Sequence, residues 1–169
     1  MPFRAAERHR QLKIPPILRR EEIAGISLTP AILGNGGCFA YEGAVETDAI
    51  TLIGATSFNR GYPISGALGE VAAELVVYCE DGEQRFPIRN GRELTTVFSS
   101  AGSSRIDPRA DRAPRIAELS YDRNFEQYVI NRLTLPLGGV KHVQRVELIS
   151  ADRGYQVLVY GVFADRPAH

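Results

Sequence analysis

The stretch from Lys141 to Asp165, KHVQRVELISADRGYQVLVYGVFAD, constrains the fold more than any other part of this chain. Its apolar residues fall into two runs, Val143, Val146, Leu148 and Ile149, then Val157, Val159, Tyr160, Val162 and Phe163. The turn-forming Ser150-Ala151-Asp152-Arg153-Gly154 divides them. Short runs rich in β-branched and aromatic residues, bounded by Ser, Asp and Gly, read as strands. They close a chain whose grammar is β-rich almost throughout.

The same grammar recurs upstream. Ala49 to Ser57 is a compact apolar strand around Ile50, Leu52 and Ile53. Val71 to Cys79 places Val71, Ala73, Leu75, Val77 and Cys79 on one face at a period of two, the spacing of a half-buried strand. Glu80-Asp81-Gly82-Glu83 supplies a hairpin turn of the Asp-Gly type, and Gln84 to Arg89 pairs back with Phe86 and Ile88 facing inward. Asn90-Gly91 is a second hairpin signal, leading into Leu94 to Phe98. Strand patterns follow at Ile23 to Leu28, at Ile116 to Tyr121 and over Phe125 to Leu137, where Gly138-Gly139 turns the chain. Gly34-Asn35-Gly36-Gly37 is a turn cluster, and it lacks the Lys-Ser/Thr ending of a phosphate loop. Residues 99–114 form a long polar loop. About eight or nine strands with frequent turn signals predict an all-β fold, an antiparallel β-sandwich of jelly-roll type. Residues 1–20, basic and ending near Pro15-Pro16, read as an N-terminal arm or linker with a helix-compatible piece from Ala5 to Leu12. The sandwich domain is expected over 21–165, with a tail at 166–169.

A chain of 169 residues fits one domain with a core of its own. Twenty basic residues balance twenty acidic ones, so no overall field draws the protein to nucleic acid or to an anionic membrane, and neither is expected as a partner. The basic residues are Arg except for Lys13 and Lys141. No segment has the apolar length of a membrane span or of a signal-peptide core, so the chain, taken as full length, is expected to be cytoplasmic. Cys38 and Cys79 are either small buried residues or one disulfide, and too few for a zinc site.

Six pieces of sequence carry a resemblance. Ala49-Ile50-Thr51-Leu52-Ile53-Gly54-Ala55 is followed by Val76-Val77-Tyr78-Cys79-Glu80-Asp81-Gly82, a Y-x-x-D-G hairpin, and by Pro87-Ile88-Arg89-Asn90-Gly91-Arg92-Glu93-Leu94. Leu135-Pro136-Leu137-Gly138-Gly139, Val146-Glu147-Leu148-Ile149-Ser150 and Tyr160-Gly161-Val162 then look like the closing strands. In this order, from about Gly25 to Asp165, the chain resembles the galactose-binding-like β-sandwich found in accessory and carbohydrate-binding modules of glycoside hydrolases. The resemblance implies a non-catalytic module, with a carbohydrate as ligand or with another domain or subunit as partner. The chain has no Trp, so a stacking platform would be built from Tyr or Phe.

Sugar recognition needs a flat apolar ring for the C–H face and planar polar groups for the hydroxyls. Three loops offer that set: Asn59, Arg60 and Tyr62; Tyr121 and Asn124, with Asp122, Arg123 and Tyr128; and Asp152 and Arg153, with Tyr155. In a jelly roll such loops can converge at one end, and convergence of two would make a site. Each is also an ordinary solvated turn with a capping Asp or Asn.

Catalytic signatures are absent from the sequence. His9 and His169 lie in tails, His142 begins a strand, and no G-x-S-x-G elbow occurs. Ser99-Ser100 and Ser103-Ser104 have no base near them in sequence. Glycosidase chemistry needs two placed carboxylates, and Glu118 and Glu126 are the pair that adjacent strands could bring together. Glu74 and Glu80 read as solvent-face residues. No cofactor is expected, beyond a structural calcium for which Asp107, Asp111 and Asp122 are the candidate ligands. The alternatives to a carbohydrate-binding module are a structural domain that mediates protein–protein contacts and, third, a glycan hydrolase.

Overall fold

The computed structural model describes residues 11–13, 31–34, 36–58, 69–94, 98–100, 115–120 and 126–165. They form nine strands and no helix: β1 (Gln11–Lys13), β2 (Ala31–Leu33), β3 (Cys38–Phe58), β4 (Val71–Cys79), β5 (Gly82–Arg89), β6 (Phe98–Ser100), β7 (Arg115–Ser120), β8 (Glu126–Ser150) and β9 (Tyr155–Asp165). All pairings between them are antiparallel, and the main path through the sheet runs β1-β7-β8-β3-β9-β2. Off that path, β4 joins β8 to β5, and β6 pairs with β8. The fold is therefore all-β and antiparallel, as the strand grammar predicts.

Two strands organise the rest. β3 is 21 residues long and β8 is 25. They pair with each other from Cys38↔Ile149 to Gly54↔Asn131. The second half of β3 also pairs with β9, from Ala49↔Asp165 to Phe58↔Tyr155. A straight strand of that length would span roughly 70 Å. The connection from β8 to β9, residues 151–154, bridges only about 18 Å when fully extended. It nevertheless joins Ile149, beside the first residue of β3, to Tyr155, beside the last. The two ends of β3 must then lie near one another, so the strand doubles back.

A second connection repeats the constraint. Leu33 of β2 is opposite Val157 of β9, which is itself opposite Thr56 near the end of β3. The chain then reaches Cys38, the start of β3, through residues 34–37 alone. That turn is tight: the Gly37 amide donates to the Gly34 carbonyl at 3.0 Å, and the Gly37 carbonyl accepts from Ser150 at 2.9 Å.

The bend is made by irregularities in both long strands. In β3, Gly43 and Ala44 stand opposite the single residue Gln144, a β-bulge. In β8, the four residues 137–140 stand opposite the single residue Asp48, because Thr47 pairs with Lys141 while Ala49 pairs with Pro136. Gly138 and Gly139 sit there at φ 76° and 137°, conformations that L side chains rarely adopt. Thr47, wholly buried at the same point, donates its hydroxyl to the Ala49 carbonyl at 2.7 Å. The Gly138-Gly139 pair thus distorts β8 without ending it. The expected turn is not a hairpin, because β3 runs on beside both halves.

The core lies inside this bend. Leu75 of β4 is flanked by Phe86 of β5 and Leu148 of β8, and Leu148 stands opposite Phe39 of β3. Val77 is flanked by Gln84 and Val146, which is opposite Tyr41. Leu75, Val77, Val146 and Leu148 share one buried cluster with Ile50 and Leu52 from the other half of β3, with Leu133 and Leu135 of β8, and with Val157 and Val159 of β9, and Phe39, Tyr41 and Phe86 pack against it. The opposite face of β4 carries Glu74 and Tyr78. Tyr78 donates to Glu147 at 2.8 Å, Arg145 pairs with Glu147, and Arg85 bridges Glu74 and Glu83. Such surface pairs contribute little each.

Other sequence expectations are refined. The β4–β5 hairpin turns on Glu80-Asp81 rather than on Asp81-Gly82, since Gly82 already pairs with Cys79. Gly82 keeps the positive φ (135°) that the Asp-Gly signal requires. Asn90-Gly91 opens a local turn, with Asn90 bridged to Leu94, and not a strand hairpin. β3 begins eleven residues before Ala49, at Cys38. The closing pair, β8 and β9, is present, but the two strands do not pair with each other; β3 runs between them. Residues 11–13, assigned in part to a helix-compatible arm, form β1 and pair with β7. The expected strand at Ile23 to Leu28 lies outside the described residues.

Gly54 marks the closest approach in the bend. A Cβ there would sit 2.5 Å from the Leu158 carbonyl oxygen, whereas one on Gly43 would meet nothing within 4 Å. Gly54→Ala is expected to lower unfolding free energy by about 2 kcal/mol, in the range for overpacked sites. Gly43→Ala is expected to be neutral. Urea denaturation of the two variants checks the contrast, and equal stability would contradict the approach of β3 and β9.

Candidate functional site

The bulge at Gly43-Ala44 turns the first half of β3 across the end of β9. Between them opens a solvent-connected groove of about 170 Å³. Its floor is apolar: Val143 and Val146 of β8 and Ile50 of β3 line it, with Val162 and Ala164 of β9 as walls. Tyr41, Glu42, Gly43, Val45 and Phe163 complete the lining. Tyr41 points to the core side because it follows Phe39 at the strand period of two, and both pack partly buried against the core. Glu42, the next residue, is exposed.

Burial pushes the Tyr41 phenol above its ordinary value of 10.0. The ring is therefore an uncharged apolar wall with a polar tip at every physiological pH. Glu42 makes no hydrogen bond or ion pair among the described residues. Its cross-strand partner by register is Arg145, whose guanidinium is engaged by Glu147 and stands 6.0 Å from the Tyr78 ring centroid. Farther along β3, Glu46 lies 3.1 Å from His142. The groove is thus lined mainly by an aromatic ring and aliphatic side chains, with Glu42 at its edge. That set can hold a compact ligand with an apolar face.

A second, polar region forms where several turns meet. Tyr155, 1% exposed, donates its hydroxyl to Glu70 at 2.7 Å. Thr56 donates to the buried Asn90 at 2.7 Å. Arg89 clasps Glu93, which also accepts the Arg89 backbone amide at 2.8 Å. Burial acts to raise the Glu93 carboxyl, and the Arg89 hydrogen bonds more than offset this, leaving it below the ordinary carboxylate range. Asp152 and Arg153 sit on this side, in the 151–154 connection. Asp152 has φ 51° and its amide donates to Ser150 Oγ at 3.2 Å; its Cβ, Cγ and Oδ2 lie 3.8 Å from the position of a Cβ on Gly36. Both residues are exposed, and neither lines the groove.

Of the residues singled out from sequence, Asp152 and Arg153 are brought beside the Gly34–Gly37 turn. Asn59, Arg60, Tyr62, Tyr121 and Asn124 lie outside the described residues, as do the calcium candidates Asp107, Asp111 and Asp122. Among the described residues no group of three or more His, Cys, Asp and Glu side chains is placed to hold a metal ion. The Glu118–Glu126 pairing is not formed: register sets Glu118 opposite Val129 and Glu126 opposite Ser100. Cys38 and Cys79 are both free, Cys38 exposed and Cys79 buried. His142 lies inside β8 and is exposed. No described helix is long and apolar enough to cross a membrane.

Tyr41 and Phe163 were not singled out by sequence. Phe163 counts in the sequence only as one of the apolar residues of the last strand, and Tyr41 immediately precedes a stretch, Glu42 to Asp48, whose polar residues mask a strand. The signal that could have found Tyr41 is the Tyr-Glu-Gly sequence, an aromatic beside a charge and a bulge-compatible glycine. No family model matches the sequence, and neither the curated proteins nor the solved structures give a match.

The raised Tyr41 pKa has a stability consequence. The folded state holds the phenolic proton more tightly than the unfolded chain does. That contribution is complete below pH 10 and declines as pH rises through the folded value. Thermal unfolding between pH 9 and 11.5 is expected to show Tm falling above pH 10. Tyr41→Phe should flatten that fall, and an unchanged slope would contradict a buried phenol at this position.

Proposed function

We propose that this chain is a non-catalytic accessory module, a β-sandwich of jelly-roll type, that binds carbohydrate. The observation that carries the proposal is the groove: a half-buried Tyr41 ring, the Phe163 side of β9 and aliphatic walls around about 170 Å³ of solvent-open space. An aromatic wall accepts the C–H face of a sugar ring, and the Tyr41 hydroxyl can hydrogen-bond its hydroxyls. The doubled-back β3 supports the sandwich topology, because two halves of one strand bracket a common core. The resemblance of the Tyr78-to-Gly82 hairpin and of the closing strands to accessory modules points the same way.

A site this shallow buries little area, so affinity is expected to be weak, with Kd on the order of 0.1–1 mM. The end loop with Asp152 and Arg153 is a second place for contact, beside the Gly34–Gly37 turn. Assembly with another domain or subunit is the alternative. It is favoured by three exposed apolar side chains, Ile32, Val45 and Val140, at 46%, 41% and 53% exposure.

A glycan array followed by NMR titration of the strongest hit tests the proposal. Tyr41→Ala is expected to weaken binding about tenfold with the fold retained. Arg153→Ala should leave it within about twofold, a change of under 0.5 kcal/mol. Binding lost in Arg153→Ala and kept in Tyr41→Ala would move the ligand to the end loops. An array with no bound glycan, together with a concentration-dependent dimer in sedimentation, would favour assembly instead.

A further inference from the structure

Resting on the carbohydrate proposal for the same groove, we infer that the groove is an acetamido subsite, selecting sugars that carry an N-acetyl group over the parent hydroxyl sugars. Register places its side chains on one face: Tyr41 stands opposite Val146, Val45 opposite Val143, and Ile50 opposite Ala164. All six line the groove. The floor shows little of itself, since Ile50, Val143 and Val146 are 1%, 2% and 6% exposed. A whole sugar ring cannot lie flat on so little surface, whereas a single methyl group can reach it.

The rim supplies the polar half of the match. Gly43 lines the groove, and register gives Gly43 and Ala44 no separate partners, because both stand opposite Gln144. A bulge leaves one residue's backbone out of the ladder. A Cβ on Gly43 would meet nothing within 4 Å, so a ligand can approach that backbone closely. An acetamido group suits both parts at once: its methyl enters the aliphatic floor, and its N–H and C=O face the bulge. The side chains of Ile50, Val143 and Val146 carry no hydrogen-bonding atom. A hydroxyl placed against them would lose its water partners without replacement, while a methyl gains by leaving water.

The test is an array of matched sugars read with the full chain. Each carries an acetamido group, a formamido group or a hydroxyl at the same ring carbon, beside a deoxy sugar with a methyl in place of its hydroxymethyl group and no amide. Wild type is expected to bind the acetamido sugar about tenfold tighter than the hydroxyl sugar. The formamido sugar, which lacks the methyl, should bind about fourfold more weakly than the acetamido sugar. Ala164→Val narrows the groove and should bring acetamido and hydroxyl sugars within about twofold of each other. Circular dichroism confirms that this variant is folded, and the formamido comparison decides the matter on wild type alone. Hydroxyl, formamido or deoxy sugars bound by wild type as tightly as acetamido sugars would overturn the inference and leave the carbohydrate proposal standing. So would a folded Ala164→Val that keeps the full preference. No glycan bound by wild type would overturn both.

Discussion

Four residues between β8 and β9 hold this structure to its shape. Residues 151–154 leave the strand beside the first residue of β3 and enter the strand beside its last. A connection so short is incompatible with a straight 21-residue strand. Everything else accommodates that fact. The Gly43-Ala44 bulge and the larger irregularity at residues 137–140 let β3 and β8 bend together. The bend brings Leu75 and Val77 of β4 into the same core as Val157 and Val159 of β9. The groove opens where the bend is incompletely filled, between the bulged part of β3 and the end of β9.

The edges of the sheet are consistent with a self-contained unit. β5 pairs only with β4 among the described strands. It carries Pro87, which has no amide to donate, and the exposed charges Glu83 and Arg85. These are devices that discourage further strand pairing along an edge. The polar face of β4 is held by Arg85, Tyr78 and Glu147 contacts, and the apolar side chains concentrate within the bend. Binding would then fall to the groove and to the turns at the ends of strands, the places where side chains are supplied by a rigid scaffold.

The sequence shows the strands that are short and rich in apolar residues. Val71 to Cys79 is legible by its period of two, and β4 has those bounds, although Ala72 and Val76 on the other face are buried as well. Arg115–Ser120 and Tyr155–Asp165 follow the predicted segments closely. The first eleven residues of β3 were hidden because they are mostly exposed and broken by a bulge, so neither period nor hydrophobicity marks them. Gly138-Gly139 misled for a related reason. Two glycines are the strongest local punctuation, yet only the pairing of Thr47 and Ala49 reveals that they bulge a continuous strand. A bulge is a property of two strands, and one strand's sequence does not display it. The candidate site was less legible still. Its residues come from β3, β8 and β9, and the chain topology that joins them depends on the bend. Asp152 and Arg153 were visible as turn residues, but the groove does not include them.

The central claim is that β3 folds back on itself, and a distance measured across that strand tests it most directly. Cys38 is exposed and Cys79 is buried, so a spin label can be placed at Cys38 and at Ser57→Cys in a Cys79→Ala background. Pulsed electron resonance then reads the separation. The doubled-back strand predicts a distance below about 35 Å, set by the reach of residues 149–155 plus two interstrand steps. A distance near 60 Å, the length of nineteen extended residues at roughly 3.3 Å each, would contradict the bend, and with it the shared core and the groove.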